Sequence, residues 1–306
     1  MDRIPEIGRC RATHGRKRRS LVRRLVALPS CLAAMVALFA VLAAAATSAQ
    51  AASDPPALVY VFRAMGGKFV TKDMDDLAAL IRVGGSQVEV NNYTAWMAPA
   101  RDAIRLYKAA AVKPRIIALG YSAGGDSAIR FALVLKKAQV PVDLIVTLDP
   151  TRIANRVPSN VRRFVNLFSS DHTMGGGEPK PAKDFQGHFV AVDLKDYTKA
   201  VHLDMGGLVD LQEAIARKVG EAIAVPDVAG PSVPIAYAPP AGVRLEVWDS
   251  GVPATVSAGE TVATVAQQFG VPVWLLADVN DIDANKPLAA GQRIIVPRHL
   301  ASAAGQ

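Results

Sequence analysis

Arg115-Ile116-Ile117-Ala118-Leu119 runs directly into Gly120-Tyr121-Ser122-Ala123-Gly124-Gly125, and then into an amphipathic run from Asp126 to Ala138. A short apolar run of the first kind reads as a buried strand, and the spacing of the second is helical. Between them, G-x-S-x-G leaves no room for a loop. Strand and helix meet at one tight turn with the serine at its tip, and glycines on both sides let the two backbones approach. A chain built around such a joint is an α/β protein, with helices packed on the faces of a sheet. The five-residue pattern alone is short; its place between strand and helix gives it weight. Ser122 is therefore a candidate nucleophile.

The alternation continues on both sides of the joint. Apolar runs at 57–62, 87–90, 142–148, 164–168 and 189–194 are interleaved with helical spacing at 74–83, 98–111 and 208–223. That order predicts βαβ units and a mostly parallel sheet flanked by helices.

A serine nucleophile needs a base, and the base needs a carboxylate to orient it. In sites built on this kind of turn, the acid and then the histidine follow the serine along the chain. Asp149 ends the run Thr147-Leu148-Asp149-Pro150, beyond the strand next to the nucleophile strand, and is the expected acid; Asp171, after the following strand, is its rival. Three histidines lie between Ser122 and residue 225. His188 opens a strand in an ordinary structural position, and His172 stands beside the glycine-rich stretch Met174-Gly175-Gly176-Gly177. His202, after the last strand and before the last helix, lies on a loop that can deliver an imidazole, so it is the expected base. His299, beyond the C-terminal segment, is too remote. The oxyanion formed during acyl transfer needs backbone N–H donors. Ala123 is one, and Ala64 or Met65, in the loop after the first strand, is the expected second. A phosphate-cradling reading of that loop fails, because it lacks the spacing and the Lys-Ser/Thr ending.

The N-terminal 51 residues read as a cleaved export signal. Arg and Lys crowd the first 24 residues, an apolar stretch fills 25–46, and Ala49-Gln50-Ala51 supplies a small-x-small cleavage pattern. A basic n-region for general secretion and twin-arginine export both fit Arg18-Arg19. The expected location is the periplasm or the cell wall, with no stable membrane anchor after cleavage. The full chain is +8, but nine of its 35 Lys/Arg and two of its 27 Asp/Glu lie in 1–51, leaving 26 and 25. The basicity thus belongs to the leader and makes no case for nucleic-acid binding. Both cysteines, Cys10 and Cys31, lie there too, so the remainder is expected to be held by packing, without disulfides.

Prolines at 226, 231, 234, 239 and 240 mark a stiff spacer at 225–242. The expected organisation is a leader at 1–51, a catalytic domain at 55–224, the spacer, and a small module at 243–298.

Two resemblances add to this reading. With Gly-Tyr-Ser-Ala-Gly-Gly, Thr-Leu-Asp-Pro and Val201-His202-Leu203-Asp204 in that order, residues 57–223 resemble the α/β-hydrolase fold. An acid at Asp149 is similar to the arrangement in pancreatic-type lipases, although no large cap insertion interrupts the domain; the segment 171–184 suits a small flap. Residues 254–297 resemble a LysM domain through Ala258-Gly259-Glu260-Thr261-Val262, Gln267-Gln268-Phe269-Gly270, Leu275-Leu276-Ala277-Asp278-Val279-Asn280 and the closing run to Pro297. The local signals agree with a βααβ unit. Thr261 suits a helix N-cap, Gly270 the C′ position, and Pro272 the entry to a second helix.

Together the resemblances imply a serine hydrolase of esters or thioesters working through Ser122, His202 and Asp149, with no metal and no cofactor. They also imply a module that binds peptidoglycan or another N-acetylglucosamine-containing glycan. Its groove is expected between Gly259, Glu260, Thr261 and Asn280, Asp281, Ile282, with Trp274 as a possible stacking surface. An acyltransferase with the same three residues, or a non-catalytic glycan-binding protein with a degenerate hydrolase fold, are the competing readings.

Overall fold

The six apolar runs become parallel strands, joined by a seventh, in a computed structural model that describes residues 57–66, 72–225 and 232–300. The expected leader at 1–51 lies outside those residues. The strands are β1 (Ala57–Phe62), β2 (Gln87–Asn91), β3 (Arg115–Tyr121), β4 (Leu144–Leu148), β5 (Arg163–Phe168), β6 (His188–Asp193) and β7 (Ile235–Tyr237). Their order across the sheet is β2-β1-β3-β4-β5-β6-β7. The helices are α1 (Asp73–Val83), α2 (Met97–Ala109), α3 (Ala123–Lys137) and α4 (Val209–Ala224).

Side chains alternate across each strand, so each strand feeds two cores. Val59, Val61, Ile117, Leu119, Leu144 and Val146 point to the face covered by α1 and α4. Leu58, Tyr60, Phe62, Ile116, Ala118 and Ile145 point to the face that packs on Ala100 and Ala103 of α2 and on Ile129, Phe131 and Ala132 of α3. With both faces covered, β1, β3 and β4 are nearly continuous apolar runs, as a buried parallel sheet requires, whereas the edge strand β2 alternates Val88 and Val90 with polar residues. The strand order reverses at β1: β2 lies on one side and β3 on the other. In open α/β sheets the crevice at such a reversal, beyond the carboxyl ends of the strands, is where ligands bind. The turn at Ser122 and the loop after β1 both lie there.

The C-terminal module pairs β8 (Ser250–Thr255) with β9 (Arg293–Arg298) in antiparallel register around α5 (Val262–Phe269) and α6 (Val273–Asn280). Thr261 caps α5, accepting from Thr264 N–H at 3.2 Å while its own N–H donates to Thr264 Oγ1 at 2.8 Å. Gly270 closes α5 in the left-handed region at φ 63°.

The proline-rich segment departs from expectation. Ile235–Tyr237 pairs with β6 as the last strand of the main sheet, and Val233 bonds Gly251 of β8 in both directions. β7 itself is free of proline, with Pro234 just before it and Pro239 after it, so its ladder to β6 keeps its donors. The stretch 232–242 is thus partly built into the fold. The module's apolar core, with Val256, Val265, Leu276 and Ile294, is continuous with that of the sheet through Leu245, Val247 and Trp248. Beneath them Lys218 of α4 makes a buried ion pair with Asp249, Nζ to Oδ2 3.2 Å.

Candidate active site

The helix α3 starts at Ala123, immediately after Ser122, three residues earlier than its pattern suggested. Ser122 accordingly sits at φ 54°, ψ −125°, a conformation that L-residues avoid and that is held by its surroundings. Its N–H donates to Leu148 O at 2.9 Å, and its carbonyl accepts from Gly125 N–H at 2.8 Å. The flanking glycines are obligatory for space. A Cβ on Gly120 would lie 2.1 Å from Gly124 O, and one on Gly124 would lie 2.1 Å from Phe62 O. The second contact also shows that the end of β1 lies against the turn.

Asp149 follows β4 at φ 45° and is fully buried. Four N–H groups converge on it. Oδ1 accepts from Gly176 N–H at 2.8 Å and from Ser169 N–H at 3.2 Å; Oδ2 faces His202 Nδ1 at 2.5 Å and His172 Nδ1 at 2.7 Å. Burial pushes this carboxyl up, but hydrogen bonds from His202, His172, Gly176 and Ser169 outweigh it and hold the group below the usual carboxylate range. The other ring nitrogen of His202, Nε2, lies 3.0 Å from Ser122 Oγ. Ser122, His202 and Asp149, which are 80 and 53 residues apart in sequence, are thereby in one line of contacts. Asp171 is exposed. His188 is buried elsewhere, against Ser250 Oγ at 2.9 Å. His299 stacks on Trp248 with centroids 3.9 Å apart.

Two supports escaped the sequence reading. The hydroxyl of Tyr121, in the variable position of the motif, donates to the backbone carbonyl of His202, and its ring packs 5.5 Å from the imidazole. Burial first, and the charge of Asp149 second, push that phenol up, so it stays a donor. The glycine-rich stretch, expected as part of a small flap, instead seals the acid. A Cβ on Gly175 would lie 2.5 Å from both Asp149 Oδ2 and His202 Nδ1. Three consecutive glycines were the available signal, since only glycine fits so close.

Of the expected oxyanion donors, Ala123 is the first residue of α3, where an N–H has no acceptor within the helix. Ala64 is buried beside the turn and Met65 is exposed. Arg63 is clamped to Asp75 of α1 by two bonds, Nε–Oδ2 2.9 Å and Nη2–Oδ1 2.5 Å, which pins this loop. The segments that build the site carry exposed apolar side chains: Met65 after β1, Met174 beside Gly175, and Val201 and Leu203 on either side of His202 in sequence.

Among the described residues, two groups bring metal-ligand types together. In Asp149-His172-His202 the ring nitrogens approach the shared oxygen at 2.5 and 2.7 Å, closer than the roughly 3.3 Å between ligands around a tetrahedral zinc. These are hydrogen-bond distances. In Glu221-Asp249-His299 the ammonium of Lys218 already supplies the cation, 2.6 Å from Glu221 Oε2 and 3.2 Å from Asp249 Oδ2.

In the module, the expected glycan residues fall into two kinds. Gly259 has φ 85°, Glu260 accepts from Ser257 N–H at 2.6 Å, and Asp281 ends α6 at φ 52°. Asn280 is spent internally: its amide bonds Leu276 O and both backbone groups of Ile295 at 2.6–2.8 Å, tying α6 to β9. Ile282 N–H donates to Ala277 O at 3.0 Å. Trp274 packs against Tyr237 of β7, with centroids 6.2 Å apart.

The LysM domain family matches residues 254–297. No curated protein matches the chain. Among solved structures, a protein of the alpha/beta hydrolase superfamily from Xanthomonas campestris pv. campestris is similar at 15% identity and a TM-score of 0.35, over 54% of this chain and 98% of its own. The chain thus joins a seven-stranded parallel α/β sheet to a LysM domain at residues 254–297.

Proposed function

We propose that the chain is an exported serine hydrolase of esters or thioesters, held to peptidoglycan or a similar glycan by its LysM domain. The observation that carries the reading is the unbroken line from Ser122 Oγ through His202 to Asp149, at 3.0 and 2.5 Å, set on a strained strand-to-helix turn. In this reading Ser122 attacks the acyl carbonyl while His202 Nε2 takes its proton. Asp149 holds the ring through Nδ1–H and offsets the charge that forms. The N–H of Ala123, with that of Ala64 or Met65, stabilises the tetrahedral oxyanion. His202 returns the proton to the leaving group, and water, activated in the same way, frees the acyl-enzyme. The exposed apolar side chains on the segments that build the site, Met65, Met174, Val201 and Leu203, favour an acyl substituent over a charged one.

LysM domains bind N-acetylglucosamine glycans, and a wall-linked ester would explain why the two parts share a chain. A fluorophosphonate probe should label the wild type and leave Ser122→Ala untouched, whereas an unlabelled wild type would sink the enzymatic reading. The Ser122→Ala protein should still sediment with insoluble peptidoglycan and be released by N-acetylglucosamine oligomers.

A further inference from the structure

His172 takes part in none of the steps above, yet both of its ring nitrogens are committed to the same region. Nδ1 lies 2.7 Å from Asp149 Oδ2, the oxygen that also holds His202, and Nε2 lies 2.9 Å from the carbonyl oxygen of Ala200. Ala200 is two residues before His202, on the irregular stretch between β6 and the short 3-10 turn Met205–Gly207. Both partners, a carboxylate and a carbonyl, are acceptors. The residue itself is fixed from behind: its N–H donates to Ser169 O at 3.1 Å, and its carbonyl accepts from Arg152 Nη2 at 2.7 Å. Its side chain is 12% exposed, and its ring stands edge-on to that of His202 with centroids 6.2 Å apart.

We infer that His172 is a positioning residue for the reaction: a strut between the carboxylate that orients His202 and the loop that carries it. This rests on the serine-hydrolase reading of the same site. A loop imidazole has two freedoms that spoil catalysis, rotation of the ring about its side-chain bonds and drift of the backbone beneath it. Asp149 removes the first through Nδ1. His172 removes the second by fastening Ala200 to that same Asp149, so carboxylate, ring and loop move as one body. Tyr121, on the carbonyl of His202, is the second brace. Catalytic groups need placement to a fraction of an ångström, and displacements near 1 Å cost on the order of a hundredfold.

The test uses the full chain with His172→Phe, which keeps a ring of similar bulk but has no donor, and His172→Gln, which keeps a single donor nitrogen. The readouts are the rate of fluorophosphonate labelling at Ser122, the melting temperature, and the low-field proton resonance of the His202 Nδ1–H···Asp149 bond. His172→Phe is expected to label about ten- to a hundredfold more slowly, with its low-field resonance broadened or lost and its melting temperature within a few degrees of wild type. His172→Gln should recover part of the rate, and it carries the test if the phenylalanine variant does not fold. A folded His172 variant that labels at the wild-type rate with the resonance in place overturns the strut while leaving the hydrolase reading intact. A wild type that does not label overturns the hydrolase reading; the resonance comparison alone then decides whether His172 holds the Asp149–His202 pair.

Discussion

Replacing Lys218 with methionine tests whether the C-terminal module is fused to the sheet or merely tethered to it. The side chains of Lys218 and Asp249 are 2% and 1% exposed and meet at 3.2 Å. Methionine preserves most of the lysine volume and deletes the charge. Asp249 would then be left inside the protein with the Leu300 N–H at 2.9 Å as a donor, while its Oδ1 has no partner. Stranding one member of a buried ion pair costs ~3–5 kcal/mol. In a unit of this size each kcal/mol moves the melting temperature by ~2–4 °C, so the expected fall is on the order of 10 °C. In a background with Trp96, at the start of α2, replaced by phenylalanine, Trp248 and Trp274 report on the module by fluorescence, and far-ultraviolet circular dichroism reports on the whole chain. Both should shift together in one transition. Of the two carboxylates that lose Lys218, Glu221 is 31% exposed and Asp249 is buried; adding Asp249→Asn removes the buried charge while keeping an acceptor for Leu300, and should recover more than half of the loss. A Lys218→Met protein within about 1 kcal/mol of wild type, or a tryptophan transition that separates from the dichroism, would refute the claim that the two parts fold as one body.

The acid is tested by Asp149→Asn, which should slow labelling at Ser122 by about three to four orders of magnitude, while Asp171→Asn should leave it unchanged; a loss in Asp171→Asn with none in Asp149→Asn would reverse the assignment. Gly175→Ala forces a methyl to 2.5 Å from both Asp149 Oδ2 and His202 Nδ1 at a backbone φ of 86°. It should cost labelling at least about a hundredfold while peptidoglycan binding persists, and full activity would show that the glycine does not seal the pair. The carboxyls of Asp149 and Asp249 are both held below their ordinary range in the fold. A group depressed on folding stabilises the protein above its unfolded pKa of about 3.9 and loses that contribution as pH falls through the folded value. Urea unfolding should therefore show stability dropping steeply below about pH 4, with a shallower drop in Asp249→Asn; equal slopes would remove Asp249 from the account.

Much of the architecture was legible because it is periodic and local. Strand, turn and helix around Ser122 follow from an apolar run, two glycines and an amphipathic repeat, all within 25 residues. The module was legible for the same reason: Thr261 caps, Gly270 ends a helix in the left-handed region, and Pro272 opens the next. The rest depends on groups far apart in the chain. Sequence order offered Asp149 and Asp171 as acids and His172 and His202 as bases, with nothing to show that both histidines meet one carboxylate oxygen. Gly175 and Gly176 read as loop residues, because glycine density marks freedom and close packing alike.

By itself, then, the chain determined its sheet, its serine-bearing turn and its LysM domain, since each is written in neighbours a few residues apart. Tertiary structure alone decided three matters: that His172 meets the carboxylate oxygen that holds His202, that a proline-rich stretch supplies β7, and that Lys218 locks the module down through Asp249. The reason is physical. Hydrophobic pattern specifies which face of an element is buried, but hydrogen bonds and ion pairs between loops are chosen only once the packed elements have brought their ends within about 3 Å.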